Sequence, residues 1–178
     1  MGQDLGTIMI GRIQGGGDKD VSHVLSRLQE SFDKDKEGLT YNEFLDEKWD
    51  RRSEGLIGFF FNERIIIIED EYDLVENSIL EELSGALETE IVRVVNSDTA
   101  GISVIRVYFK GELARMKSFG FENDIDHLSD DELKSVKGLG NPTVYEKNGS
   151  EALNVFYSFI DGKVSVENMN PISIFKVK

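Results

Sequence analysis

The chain has 178 residues, 34 acids against 20 bases for a formal net charge of −14, and no cysteine. That length fits one domain able to bury roughly 70% of its unfolded surface, and the missing thiols exclude disulfides, thiolate nucleophiles and Cys-ligated metals. Negative potential of this size repels nucleic-acid phosphates and anionic lipid, and it attracts basic proteins or cations.

The N-terminus places Asp4 ahead of a short apolar patch with no basic leader, so a cytoplasmic protein without a secretory signal is expected. No window approaches the roughly 18 apolar residues a membrane span needs. Thr7 to Ile13 is rich in β-branched residues and predicts a strand, broken by Gly15-Gly16-Gly17. Val21, Val24, Leu25, Leu28 and Phe32 then recur at helical spacing, with Asp18 or Asp20 available to cap. This helix is expected to end in the polar stretch Asp33 to Gly38.

Thr40-Tyr41-Asn42-Glu43 has the form of a capping box, and Phe44, Leu45 and Trp49 would be the apolar side of a short helix. Leu56 to Phe61 and Arg64 to Ile68 flank Asn62-Glu63 and predict a β-hairpin. Both arms are apolar on both faces, which places them mid-sheet with cover on each side. From Tyr72 to Glu88 the period returns to helix, with Tyr72, Val75, Ile79, Leu83 and Ala86 on one face and Asp73, Asn77, Glu81, Ser84 and Glu88 opposite. Ile91 to Val95, Gly101 to Lys110 and Leu113 to Phe119 predict an antiparallel meander turned at 97–100 and at Lys110-Gly111-Glu112, with Ile105, Val107 and Phe109 on one face of its central strand. Residues 120–149 are loop-rich with a second capping box at Ser129 to Glu132; a helix from Ser150 to Phe159 and a strand from Ile172 to Val177 complete the chain.

These elements predict a single α+β domain over residues 1–178, with an antiparallel sheet of hairpin plus meander and helices packed against it. Its successive parts are 1–54 (a strand and two helices), 55–119 (hairpin, acidic helix and meander) and 120–178 (loops, helix and last strand).

No motif identifies a catalytic, cofactor or metal site. Residues 33–44 look like an EF-hand calcium loop, with acids at positions 1, 3 and 5 and Gly38 at position 6, but Glu43 falls at position 11 where the closing carboxylate belongs at 12. Gly15 to Lys19 lacks the Gly-Lys-Ser/Thr ending of a phosphate loop. His23 falls on the polar face of the first helix, and His127 lies between acids that favour its charged form, with no nucleophile motif to accompany it. Paired carboxylates are too abundant to single out an acid/base pair. A small carboxylate-dependent enzyme or a calcium-binding module is therefore the alternative, and a non-catalytic protein without a cofactor is the expectation.

The charge is segregated. Residues 65–92 hold nine carboxylates (Glu69, Asp70, Glu71, Asp73, Glu76, Glu81, Glu82, Glu88, Glu90) and no Lys or Arg, and 122–132 hold six more, leaving 19 acids against all 20 bases elsewhere. Solubility alone would allow both signs to be mixed over the surface. The outward acids of the predicted helix and of the later loop are the candidate contacts to a basic protein: Asp73, Asn77, Glu81, Glu88, Asp124, Asp126, Asp130 and Asp131. Glu76 and Glu82 flank the buried face closely enough to serve packing.

The strand pair turned by Lys110-Gly111-Glu112-Leu113-Ala114-Arg115, with the later Gly140-Asn141-Pro142-Thr143-Val144-Tyr145-Glu146, resembles bacterial immunity proteins of contact-delivered toxin systems. The resemblance covers about a third of the chain, and it implies non-catalytic inhibition in which acidic side chains occlude a cationic toxin site. It assigns no functional residue.

Overall fold

A computed structural model describes residues 4–11, 18–62, 65–97, 102–119, 125–126 and 171–178. Its elements are β1 (Asp4–Gly11), α1 (Lys19–Gln29), β2 (Phe32–Leu39), α2 (Tyr41–Asp50), a 3-10 turn (Arg52–Glu54), β3 (Ile57–Phe61), β4 (Ile65–Glu69), α3 (Asn77–Ala86), β5 (Ile91–Ser97), β6 (Ile102–Phe109), β7 (Glu112–Phe119), β8 (Ile125–Asp126) and β9 (Ile172–Val177). The strands form one sheet in the order β2-β9-β3-β4-β1-β5-β6-β7-β8, and every neighbouring pair is antiparallel. The β3–β4 hairpin and the β5–β6–β7 meander stand as expected, and β1 joins them by pairing with β4 on one side and β5 on the other. The protein is α+β, with helices on both faces of an antiparallel sheet.

Cover on both faces explains the hairpin's sequence. Side chains alternate across a strand, so Ile66 and Ile68 enter one core while Ile65 and Ile67 enter the other. The first core takes Val21, Val24 and Leu28 from α1 and Ile79, Leu80 and Leu83 from α3. The second takes Phe44 from α2, packed with Phe60, Met9, Val92, Val94, Ile105 and Val107. Each buried isoleucine contributes about 1.5–3 kcal/mol of transfer free energy, so β4 is firmly anchored in both cores. Phe44 reaches the sheet because Gly58 lies beneath it: a Cβ there would stand 2.5 Å from the ring.

Three expectations are corrected. Phe32 and Asp33 to Leu39 are strand rather than helix end and loop, with β2 forming a sheet edge paired only with β9. The sequence Asp-Lys-Asp-Lys-Glu-Gly has little strand preference of its own; pairing with a partner some 140 residues later sets it, and charge suits an edge that must not recruit other chains. The EF-hand reading falls with it. Asp35 is bound by Arg51 and Lys176, and Glu37 by Lys34; the Glu43 carboxylate accepts the Thr40 N–H in the capping box that the sequence predicts.

On α2 only Phe44 is buried; Leu45 and Trp49 face solvent at 40% and 65% exposure. Similarly, α3 begins at Asn77, so Tyr72 and Asp73 belong to a loop; Tyr72 and Ala86 are exposed and Ser84 is buried. On α1, Asp18 occupies the cap position without a side-chain bond, its carbonyl accepting from Ser22 N–H at 2.9 Å. The expected helices near 129–132 and 150–159, the loops of 120–149 and the 98–100 turn lie outside the described residues.

Candidate functional site

The basic-free run divides at the end of β4. Glu69 and Asp70 are consecutive on an extended backbone and point to opposite faces, where each meets a cation supplied from elsewhere in the chain. Asp70 Oδ2 lies 2.6 Å from Arg93 Nη2, with both side chains 1% exposed. The same carboxylate accepts the N–H groups of Leu74 and Val75, each at 2.8 Å. Those two bonds hold the 70–76 loop open and delay the start of α3, so helical spacing in the sequence begins before the helix does. Burial pushes the Asp70 carboxyl up, against the backbone N–H groups of Val75 and Leu74 and the Arg93 guanidinium, which favour its charge.

Arg93 sits on β5 in register with Ile8 on one side and Arg106 on the other. Its Nη1 donates to Val75 O at 2.7 Å and to Asn77 Oδ1 at 3.4 Å, and its Nη2 lies 2.7 Å from Asp73 Oδ1. Asp73, at φ 58°, also stands 3.6 Å from Arg106 Nη1, so one carboxylate bridges two neighbouring guanidiniums. Tyr108 donates its hydroxyl proton to Asn77 Oδ1. Gly6 closes the corner: its carbonyl accepts the Asp70 N–H at 2.8 Å, and a Cβ on it would lie 2.0 Å from the Asp70 carbonyl oxygen.

On the other face Lys48 from α2 stands between Glu69, at 3.4 Å, and Glu71, at 2.8 Å. The Tyr41 hydroxyl donates to Glu69 Oε1 at 3.4 Å. Burial pushes Glu69 up, opposed by the Lys48 charge. Burial works against the charge of Lys48 too, yet the carboxylates of Glu69 and Glu71 hold it above its ordinary value. Glu90, the last acid of the run, is 3% exposed and its Oε2 has no hydrogen-bond partner among the described residues; burial pushes its carboxyl up to about 7.

The remaining acids face outward on and beside α3. Glu76 and Glu88 are exposed, Glu81 is half-buried, and none of the three has an ion pair among the described residues. Glu82 is exposed and bound by Arg27 Nε at 2.8 Å, tying α3 to α1. Ser84 donates to Glu81 O and accepts the Gly111 N–H, fastening α3 to the β6–β7 turn. Beside Glu82 an open groove of about 590 Å³ runs along α1, lined by both signs of charge, Asp18, Lys19, Arg27 and Glu30, and by the exposed His23.

Of the eight residues expected to contact a partner, Asp73 and Asn77 are exposed but bound to Arg93, Arg106 and Tyr108, Glu88 is exposed, and Glu81 is half-buried. Asp126 lies in β8 opposite Lys117. Asp124, Asp130 and Asp131 lie outside the described residues. Sequence reasoning passed over Arg93, although a charged residue inside Ile-Val-Arg-Val-Val was a legible sign of a buried counter-ion. It also gave no reason to single out Lys48, whose role depends on where α2 packs against the sheet.

No family model matches this chain, and no curated protein or solved structure is similar to it. The class of protein is therefore defined by the fold alone: an α+β protein with helices on both faces of an antiparallel sheet. No helix among the described residues is long and apolar enough to cross a membrane, and no three His, Asp or Glu among them are placed to hold a metal ion.

Proposed function

We propose that this chain is a non-catalytic binding protein whose acidic helical layer captures a basic protein. The observation that carries this reading is the division of the acidic run. Glu69, Asp70, Glu71 and Asp73 are paired with Lys48, Arg93 and Arg106, whereas Glu76, Glu81 and Glu88 around α3 have no ion pair among the described residues, with Arg27 near enough to feel the charge of Glu76. Uncompensated charge held on a packed helix steers an oppositely charged partner and orders its approach. The buried carboxyls Glu69 and Asp70 each have a cation or backbone donors in place, and this supports a structural use for them.

The finer reading is neutralisation of a cationic toxin by occlusion of its site, as the resemblance to immunity proteins implies. The test is retention of basic proteins from a lysate of the source cell on the immobilised chain at low and high salt. Wild type is expected to hold a basic protein that salt releases, and the Glu76→Lys/Glu81→Lys/Glu88→Lys variant to lose it while keeping its circular dichroism. Equal retention by the variant would overturn the proposal.

A further inference from the structure

The outer face of α2 exposes two large apolar side chains, Leu45 and Trp49. Its inner side is committed: Phe44 stands over Gly58 and packs with Tyr41 and Phe60, and Lys48 turns to Glu69 and Glu71. Arg51 turns the same way, binding Asp35, Glu47 and Glu54. With Lys48 and Arg51 drawn in, two rows are left outside, and the exposed Arg52 lies beside them. Leu45 and Trp49, one turn apart, form an apolar row, 40% and 65% exposed. Asp46 and Asp50 form a parallel row directly beside it, both exposed and without an ion pair among the described residues. The Arg52 guanidinium lies 5.1 Å from the centre of the Trp49 ring, within cation–π reach.

An exposed indole keeps apolar area in water that folding does not bury, and Trp is among the side chains enriched at the energetic centre of interfaces. The acids beside it fix the chemistry of what can cover it. An anionic or neutral apolar surface would leave both carboxylates desolvated and unpaired, whereas a surface with an apolar side chain flanked by Lys or Arg satisfies both rows at once.

We infer that the Leu45–Trp49 and Asp46–Asp50 rows of α2 are a docking surface for a basic protein segment that carries an apolar anchor. It rests on the binding reading above and adds a second contact, on the face of the sheet opposite α3.

The chain has a single tryptophan, so its emission reports on this surface alone. The probe is a synthetic amphipathic Leu/Lys peptide, with oligolysine of equal charge and a Leu/Glu peptide as controls, titrated at low salt into the full chain. A saturable blue shift with the Leu/Lys peptide alone is expected. Asp46→Lys/Asp50→Lys should weaken it about tenfold or more, and Glu76→Lys/Glu81→Lys/Glu88→Lys about threefold or less. The inference is overturned by an unmoved emission, by an equal shift with oligolysine, by wild-type affinity in the Asp46/Asp50 variant, or by a shift that follows protein concentration without peptide, which marks a second copy as the occupant. Loss of the α3 contact alone would show instead as failed lysate retention with the emission titration intact, so the two readings fail separately.

Discussion

Arg93 has to satisfy five donors inside a sheet, and the surrounding residues are arranged around that need. Asp70, Asp73, Asn77 and the Val75 carbonyl take four contacts at its two terminal nitrogens, while Nε is left without a partner. Removing one side of a buried pair leaves an uncompensated charge, so Asp70→Asn is expected to cost about 3–5 kcal/mol of stability in denaturant titration. Asp73→Asn should cost under about 1 kcal/mol, because Asp73 is half-exposed and Asn accepts its positive φ. Equal losses in the two variants would contradict the assignment of Asp70 as the principal counter-ion.

Glu90 gives a pH signature with a definite sign. Its carboxyl sits at about 7 in the folded chain against an ordinary 4.5, so folding favours the protonated form. The stability it contributes is whole below about pH 4.5 and is lost as pH rises toward 7. Glu90→Gln cannot ionise, so relative to wild type it should gain stability between acid and neutral pH. Parallel stability–pH curves for the two proteins would refute this.

Among the elements, those legible in the sequence are those whose own residues decide them. The β3–β4 hairpin was readable because Ile65 to Ile68 are apolar on both faces, and α2 because Thr40 and Glu43 cap each other. Thr40→Ala is expected to cost about 1 kcal/mol. Phe44→Ala should cost about 3–5 kcal/mol by opening a cavity over Gly58, whereas the exposed Trp49→Ser should leave the unfolding midpoint almost unchanged. A midpoint that fell in Trp49→Ser as it does in Phe44→Ala would place the indole in the core.

What stayed hidden were the elements decided by distant partners. β2 is charged from Asp33 to Glu37, and pairing with β9 is what makes that stretch a strand. The start of α3 was misread because Asp70 claims the N–H groups of Leu74 and Val75, an event governed by Arg93 on another strand. The candidate site followed the same rule. Helical spacing puts Glu81 on the outer side of α3, where it is half-buried, but it does not show that the exposed Asp73 and Asn77 are bound by cations and a tyrosine on β5 and β6.

At the scale of the molecule, the first strand is the seam of the sheet and the last closes it against an edge. β1 stands between hairpin and meander, and β9 between β2 and β3, so the sheet is complete only when both ends of the sequence have joined it. On this frame the negative charge is sorted. Acids at the end of β4 are neutralised against Lys48, Arg93 and Arg106, and acids around α3 are left to act at a distance. Such action is screened over about 8–10 Å at ordinary ionic strength, so it shows in association kinetics.

The most direct test is therefore the association rate of the captured basic protein with wild type and with Glu76→Lys/Glu81→Lys/Glu88→Lys, followed across ionic strength. The account predicts a wild-type rate that falls steeply with salt and a variant that associates about tenfold or more slowly at low salt with a flatter dependence. Identical rates and salt slopes for the two proteins would contradict it.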